Sequence, residues 1–227
     1  MNQRDQLRVA FEAADADSRV RVIVLRASGE HFSSGGEIQG FLDASPEHVS
    51  QLAWNIAAPA RCKKPVIAAS RGYCFGVAFE LALRLRLPPG HRKFRIRAAR
   101  AAARHDPGLG RRGPPAEDGR HHPRQGHRHA LAPHYRLPRA FEWGIATECV
   151  NDAELEKATD ALVDELRSFA PLAQRTAKKL MNDLDDATLS LGIELEGQAY
   201  GRLRGSDDFR EGVEAFHAKR KPNFKGR

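Results

Sequence analysis

The fold of this chain is decided by residues 65–83, which read PVIAASRGYCFGVAFELAL. The β-branched run at 65–69 is typical of a buried strand. A turn around Gly72 ends that run, and the residues after Gly76 have the apolar spacing of a helix start. Because the first N–H groups of a helix have no partner within it, such a helix start can bind an anion. The stretch therefore predicts a strand, a loop and a helix at the mouth of a parallel sheet.

A similar unit comes earlier in the chain, at residues 20–38. Residues 20–25, VRVIVL, predict a strand, and RASG and HFSSGGEI after it form a loop of small residues. Small residues allow a ligand to approach the backbone closely. A short amphipathic helix is predicted before the strand, with Leu7, Phe11 and Ala14 on its apolar face. We therefore expect two strands of one parallel sheet, each leading into a loop that a ligand can reach.

The C-terminal part, residues 141–227, is predicted to be helical. Its helices are indicated by apolar spacing from Leu155, by Pro171 at a helix start, and by a further apolar run from Leu189. The last helix is predicted to begin after the capping residue Ser206. Its apolar face is expected to consist of Phe209, Val213 and Phe216.

The overall composition is that of a soluble globular protein with one α/β domain. The chain has 227 residues, of which 41% are apolar and 29% are charged. No run approaches the roughly 20 apolar residues of a membrane span, and Asp5 and Glu12 stand where a secretory signal has its apolar core. The three cysteines form no CxxC pair, which fits reduced thiols. We therefore expect a cytoplasmic protein without a membrane partner.

Residues 84–140 differ in composition from the rest of the chain. They contain 14 Arg, one Lys and three acidic residues, which gives a net charge of +12, whereas the whole chain carries +8. Seven of the ten His and eight of the 13 Pro also fall in this segment. The chain is therefore divided into three parts: an N-terminal part at 1–83, a basic segment at 84–140 that is predicted to be irregular, and the C-terminal part at 141–227.

The basic segment raises two alternative functions. Its charge would attract nucleic-acid phosphates, but Phe94 and Tyr135 are its only aromatic residues, which is too few for a surface that stacks bases. A metal cluster would have to use His121, His122, His127, His129 and His134. No Cys or acidic residue accompanies these histidines at a defined ligand spacing. We therefore expect neither a nucleic-acid partner nor a metal.

Four motifs in the two terminal parts follow the patterns of one known family. Residues 32–38, FSSGGEI, match a Phe-Ser-Ala-Gly-Ala-Asp-Ile-like loop, and residues 71–81, RGYCFGVAFEL, match an Asn-Gly-x-x-x-Gly-Gly-Gly-x-Glu-Leu-like turn. Residues 141–146, FEWGIA, match a glycine step, and residues 206–222, SDDFREGVEAFHAKRKP, match a terminal Asp-x-x-Glu-Gly-x-x-Ala-Phe-x-x-Lys-Arg-x-Pro segment. By these motifs the chain resembles the enoyl-CoA hydratase/isomerase (crotonase) family.

The resemblance implies a fold, a substrate class and an assembly. The fold would be α/β, with a crotonase-type (ClpP-like) β-β-α spiral core and a helical C-terminal trimerisation region. The substrate would be an acyl-CoA thioester, with coenzyme A as part of the substrate and no further cofactor. The expected reaction is hydration of a 2-enoyl-CoA or isomerisation of its double bond. The family's C-terminal tail packs on a neighbouring subunit, so a homotrimer or a dimer of trimers is implied.

The resemblance also implies an oxyanion hole formed by the backbone N–H groups of Ser34 and Val77. Two fixed donors at these positions would stabilise the negative charge of an enolate oxygen. Glu80 matches one of the family's two catalytic glutamates, which act as general acid and base. From the residues alone, Glu80 is also compatible with a first-turn acid that complements the helix dipole, and Ser34 with a plain turn residue.

Further residues are implied in substrate binding by the same resemblance. They are Phe32, Gly35, Gly36, Glu37, Ile38, Gly76, Phe216 and Lys219. Phe216 and Lys219 match positions that contact the adenine and a phosphate of CoA, since a ring offers a stacking face and an ammonium group a point charge. From spacing alone, Phe216 is as compatible with core packing. Glu37 replaces the family's usual Asp, and Val77 and Ala78 replace two glycines.

The basic segment lacks the family's second glutamate and its glycine turn. Its residues are mostly types with GC-rich codons, and suitable codons read one base out of frame permit the missing family segments in their expected order. We therefore hypothesise a frame slip near Leu83 and a compensating slip near Ala140. The two strands that precede the first helix in the family are also absent, which we attribute to a late start or a truncation.

The missing glutamate affects the expected activity. Hydration uses two carboxylates, one for the water molecule and one for proton delivery. We therefore expect weak or no hydratase activity from this chain. The alternative is a non-catalytic CoA-binding or interaction protein on the same scaffold.

Overall fold

The computed structural model describes residues 3–36, 45–83, 141, 146–185 and 187–227. The N-terminal part contains, in chain order, α1 (Gln3–Ala16), β1 (Ile23–Arg26), α2 (Pro46–Ile56), α3 (Ala58–Arg61), β2 (Val66–Ala69) and α4 (Val77–Leu83). The C-terminal part contains a 3₁₀ turn (Asp152–Glu154), α5 (Leu155–Arg167), α6 (Pro171–Asp183), α7 (Leu189–Arg204) and α8 (Asp207–His217). In the described ranges, no helix is both long enough and apolar enough to cross a bilayer.

The two strands β1 and β2 are parallel, as the sequence predicts. Ile23 is opposite Val66 and Arg26 is opposite Ala69, with α2 and α3 in the connection between the strands. The prediction of strand at 20–25 was wrong in its bounds, because β1 covers Ile23–Arg26. β2 has only four residues, so only four residues of the segment after residue 20 can pair with it. The pairing begins at Ile23 opposite Val66, and residues 20–22 precede it.

The core lies on both faces of these strands. Val66 and Ala68 of β2 pack with Phe11 of α1 on one face, and Ile67 packs with Leu162 and Leu166 of α5 on the other. This alternation follows from the period of two residues along a strand. All four residues of β2 are buried, so helices cover the strand from two sides. The sheet edge where the candidate loops begin is thereby fixed on a rigid support.

The helix predictions of the C-terminal part are confirmed in their positions. The buried side of α5 is formed by Leu155, Thr159, Leu162 and Leu166, which recur at helical spacing. Helix α6 begins at Pro171. The hydroxyl of Ser206 accepts a hydrogen bond of 3.1 Å from the Phe209 N–H and caps α8.

Two of the three residues on the predicted apolar face of α8 are exposed in this chain. Val213 is 43% exposed and Phe216 is 80% exposed, so neither belongs to the core of this chain. The buried residues of α8 are Asp208 and Ala215. The chain end folds back over that side of the helix, since the Asp208 carboxylate accepts hydrogen bonds from the N–H groups of residues 225 and 226. The C-terminal tail therefore covers the side of α8 that carries Asp208, a contact that the spacing of apolar residues does not predict.

A buried lysine connects the C-terminal helices to the N-terminal part. Lys178 of α6 is almost completely buried, and its ammonium group donates hydrogen bonds of 2.8 Å to the carbonyl oxygens of Pro59 and Lys64. Pro59 belongs to α3, and Lys64 lies two residues before β2. Burial lowers the pKa of Lys178 to about 8, and the nearby Cys62 and Asp15 act in the opposite direction.

The lowered pKa of Lys178 predicts how stability depends on pH. The folded-state pKa of about 8 lies below the ordinary value of 10.5, so the unfolded chain binds more protons between these two values. The free energy of unfolding of the wild type, relative to Lys178→Met, should therefore rise by about 2–3 kcal/mol between pH 7 and pH 10. Urea unfolding of both proteins across this range measures the difference.

The comparison with Lys178→Met also serves as the control. Burial raises the pKa of Cys62 to about 11, which makes the folded state lose stability above pH 9 in both proteins. Subtracting the free energy of unfolding of Lys178→Met from that of the wild type at each pH removes the contribution of Cys62, which both proteins share. A difference that stays constant with pH would show that the Lys178 amine has no depressed pKa.

Candidate active site

Two loops extend from the carboxyl ends of the parallel strands and pair with each other. The first loop, residues 27–36, follows β1, and the second loop, residues 70–76, follows β2. Between them, the Ser33 N–H donates to the Tyr73 carbonyl at 2.8 Å, and the Phe75 N–H donates to the Ser33 carbonyl at 3.1 Å. The parallel arrangement of the strands thus continues past their ends as a Ser33–Cys74 bridge.

The two loops contact each other directly at Gly35 and Gly76. Both glycines have a positive φ, +103° at Gly35 and +51° at Gly76. A Cβ atom on Gly35 would lie 3.3 Å from the Phe75 carbonyl oxygen, and a Cβ atom on Gly76 would lie 3.8 Å from the Gly35 Cα. The backbones therefore meet directly, with Ser34 immediately before this contact and Val77 immediately after it.

The amide N–H groups of Ser34 and Val77 are donors without an acceptor in the described part of the chain. Val77 is the first residue of α4, where N–H groups lack helical partners. The next three N–H groups bond locally: Ala78 donates to Phe75, and Phe79 and Glu80 donate to Gly76. With no acceptor among the described residues, the Val77 N–H can donate to an external oxygen atom.

Glu80 lies in the first turn of α4, three residues after Val77, and is half-buried. Its partner is found on α1. The Arg4 guanidinium is half-buried, and although burial lowers the pKa of Arg4, the negative charge of Glu80 raises it. The carboxylate and the guanidinium are therefore close enough to interact electrostatically. Nothing in the spacing of residues 4 and 80 indicates this pairing in the sequence.

The two buried thiols, Cys74 and Cys62, are poor nucleophiles at neutral pH. Cys74, in the second loop, is buried in an apolar cluster with Ala78, Ala82 and Ala146. Burial raises the pKa of the Cys74 thiol to about 12 and that of Cys62 to about 11. Both thiols are protonated at neutral pH, so thiolate chemistry is not available at this site.

Aromatic rings line the outer side of the two loops. The ring centroids of His31 and Tyr73 are 4.0 Å apart, and those of Tyr73 and Phe75 are 4.9 Å apart. Phe32, which the sequence analysis assigns to substrate binding, is partly buried and packs against two core clusters. Its side chain anchors the first loop in the core, and its N–H bonds to the Arg71 carbonyl at 2.8 Å.

The remaining predicted site residues are placed as follows. Gly36 lies at the end of the described first loop, and Glu37 and Ile38 lie outside the described residues. Phe216 is exposed near the end of α8, and Lys219 follows that helix with a φ of +50°, which is unusual for a residue other than glycine. Both belong to the C-terminal part and not to the two loops.

We also searched the described residues for a group of side chains that could bind a metal ion. Within the ranges that the structure describes, no group of three or more His, Cys, Asp or Glu side chains is arranged to hold a metal ion. The histidines of the basic segment lie outside those ranges.

Comparisons with known proteins agree with this picture. The family model for enoyl-CoA hydratase/isomerase matches residues 2–85 and 127–227. The chain is 29% identical to carnitinyl-CoA dehydratase of Proteus mirabilis (strain HI4320), over 93% of this chain and 84% of that protein. It is 27% identical to 2,3-dehydroadipyl-CoA hydratase of Escherichia coli (strain K12), over 98% of this chain and 88% of that protein.

Solved structures show the same fold. The crystal structure of an enoyl-CoA hydratase from Bacillus anthracis has a TM-score of 0.78 with this chain at 23% identity, and the match covers 99% of this chain and 88% of that one. This likeness confirms the predicted α/β fold with its helical C-terminal region. The part that the family model leaves unmatched, residues 86–126, lies inside the basic segment.

The close approach of the loops makes Gly72→Ala a sharp test of the site's geometry. Gly72 has a φ of +57°, and a Cβ atom there would lie 2.1 Å from the Glu30 carbonyl oxygen. The substitution should lower the free energy of unfolding by more than about 1 kcal/mol from the left-handed backbone alone, and by more once the loops are forced apart. Urea unfolding measures the loss.

Gly29→Ala is the matched control in the first loop. A Cβ atom on Gly29 has no atom within 4 Å, so this change should alter the free energy of unfolding by no more than about 0.5 kcal/mol. Equal stability of the Gly72→Ala protein and its control would contradict the loop contact described here.

Proposed function

Since the chain belongs to the enoyl-CoA hydratase/isomerase family, we propose that its two loops bind an acyl-CoA thioester by the carbonyl oxygen. The N–H groups of Ser34 and Val77 would donate to that oxygen, and Glu80 would move a proton on the acyl chain. The crotonase fold and acyl-CoA chemistry of the hydratase/isomerase type are those of the family. The residue roles are our proposal.

The observation that supports this proposal is the pair of available amides beside the glycine contact. Ser34 and Val77 flank the place where Gly35 and Gly76 meet, and neither amide has an acceptor among the described residues. Loss of a proton from the carbon next to a thioester carbonyl moves negative charge onto the carbonyl oxygen. Two fixed backbone donors stabilise that charge without rearrangement, and removing one such donor typically costs about 10²–10³ in rate.

Glu80 is suited to the proton transfer by its position. Its carboxylate is one helical turn from the Val77 amide, on the helix whose first N–H group would hold the oxygen. The half-buried Arg4 supplies a positive charge beside it. A carboxylate in this place can remove a proton from the carbon next to the carbonyl and return it elsewhere on the acyl chain.

The number of carboxylates decides which reaction this chain can perform. A double-bond shift needs one base, which takes the proton from one carbon and delivers it to another. Hydration needs a second carboxylate for the water molecule, and the basic segment carries no counterpart of the family's second glutamate. We therefore propose that the chain retains proton transfer on the acyl chain and is impaired in hydration.

The basic segment is proposed to originate from a shifted reading frame. The composition of residues 84–140 and the gap of the family match at residues 86–126 support this origin. Sequencing the gene across codons 80–145 tests it. An unbroken reading frame that encodes the same basic residues would exclude the frame slip.

Binding of the rest of the substrate is proposed for the C-terminal part. The exposed ring of Phe216 is available for stacking on adenine, and the Lys219 ammonium for a phosphate. The exposed apolar side chains on α7 and α8, which include Leu189, Ile193 and Phe216, support the proposed assembly into trimers. Coenzyme A enters as part of the substrate, and no further cofactor is proposed.

Replacement of Glu80 separates proton transfer from binding. Exchange of the α-protons of butyryl-CoA with D₂O, followed by NMR, should proceed with the wild type and fall about 10²-fold or more in Glu80→Gln. Binding of butyryl-CoA should stay within a few-fold, because the amides are unchanged. Asp160→Asn, which removes an exposed carboxylate of α5, should leave the exchange rate unaltered.

Turnover of crotonyl-CoA tests the proposed impairment. Hydration by this chain should remain below the roughly 1–10³ s⁻¹ that is typical of enzymes. A rate within that range would contradict the impairment. Binding of CoA without α-proton exchange, and with Glu80→Ala equal to the wild type, would instead favour the non-catalytic CoA-binding alternative.

A further inference from the structure

Glu156 binds two arginines that lie at the bases of the two loops. Its Oε2 atom is 2.6 Å from Nη1 of Arg26, and its Oε1 atom is 2.7 Å from Nη2 of Arg71. Each oxygen of the carboxylate therefore holds one guanidinium group. These residues are separated by 130 and 85 positions in the chain, so the bridge exists only in the folded protein.

The two arginines lie where the two strands lead into the loops. Arg26 is the last residue of β1 and is opposite Ala69, the last residue of β2. Arg71 follows Ala69 by two residues and opens the second loop. Its carbonyl oxygen also accepts the Phe32 N–H of the first loop at 2.8 Å. One carboxylate thus holds the start of the first loop and the start of the second.

The element that carries Glu156 is fixed in the core. Glu156 lies in the first turn of α5, next to the buried Leu155. Further along the helix, Leu162 and Leu166 pack on Ile67 of β2. The carboxylate is therefore attached to a helix that cannot move relative to the strands without opening the core. Glu156 thus attaches both loops to the core, in addition to the hydrogen bonds that the loops make with each other.

We expect the Glu156 bridge to affect the positions of the two loops more than the free energy of folding. The side chains of Glu156 and Arg26 are about half-exposed and that of Arg71 is 27% exposed, and ion pairs of this kind add little to folding. Removing the carboxylate, however, leaves two positive charges next to each other without their shared partner. Their repulsion acts on the loop bases, from which the chain continues to Ser34 in one loop and to Val77 after the other.

We propose that Glu156 is a positioning residue, which sets the spacing of the two backbone donors by holding Arg26 and Arg71 together. The proposal rests on the function proposed above, because the spacing matters only if both amides hold one oxygen atom. Glu156 itself does not touch the substrate. Its effect should therefore appear in recognition of the thioester carbonyl and not in binding of CoA as such.

The experiment compares two ligands that differ in that carbonyl. Butyryl-CoA contains the thioester, and S-butyl-CoA is the matching thioether without a carbonyl oxygen. Isothermal titration calorimetry on the full chain gives the ratio of their affinities. The wild type should prefer the thioester, and Glu156→Gln should reduce this preference about 3- to 10-fold, the effect of weakening a hydrogen bond. Binding of the thioether should not change.

Asp164→Asn is the matched control. Asp164 lies on the same helix, and its carboxylate pairs with Arg167 at 3.6 Å, away from the loops. It should keep the wild-type preference. Arg71→Gln removes only the ion pair between Glu156 and the second loop, and it should also reduce the preference for the thioester. It supplies the test if Glu156→Gln does not fold.

The outcomes separate this inference from the proposed function. A wild type without preference for the thioester would overturn the proposed carbonyl contact, and the positioning role with it. A wild-type preference that is unchanged in Glu156→Gln, or in Arg71→Gln where the former does not fold, would overturn the positioning role alone. A loss of preference in Asp164→Asn as well would show that charge on α5, and not the bridge, controls the loops.

Discussion

The backbones of two loops contact each other directly at Gly35 and Gly76, and the candidate active site depends on this contact. Both glycines adopt a positive φ, and a side chain at Gly35 would press on the Phe75 carbonyl oxygen at 3.3 Å. The amides of Ser34 and Val77 are adjacent in sequence to the two contacting glycines and belong to two different loops. We propose that these two backbone donors hold one oxygen atom, a role that needs no particular side chain at either position.

The rest of the structure holds this contact in place at three levels. Parallel pairing of β1 with β2 brings the two loops to one sheet edge, where the hydrogen bonds of Ser33 continue the pairing. Glu156 connects the bases of the loops to α5. Further from the site, the buried ammonium of Lys178 fixes the turn before β2 to α6. Each connection joins residues that are distant in sequence, so the site is a property of the whole fold and not of one motif.

Local patterns in the sequence predict the parts of the fold that depend on local physics. Helical spacing gives α1, α5 and α6, and the small residues around Gly35 and Gly76 indicate loops whose backbones can be approached. The partners of Glu156 and Lys178 carry no such signal, because nothing in the spacing of two residues a hundred positions apart states that they will meet. The orientation of α8 was missed for the same reason, since the returning tail decides which side of that helix is buried. The helices α2 and α3 were not predicted either, and Pro59 near the start of α3 interrupts any regular pattern there.

The claim that carries the account is that the Val77 N–H, together with that of Ser34, polarises a thioester carbonyl. Infrared spectroscopy of butyryl-CoA labelled with ¹³C at the carbonyl measures this polarisation directly, because hydrogen bonds to the oxygen lower the C=O stretching frequency. The measurement is made on the wild type and on a protein in which Val77 is replaced by its α-hydroxy analogue, so that an ester oxygen takes the place of that one N–H group. The account predicts a lowered frequency in the wild type that moves back toward the value in water in the ester variant. The same frequency in both proteins would contradict it.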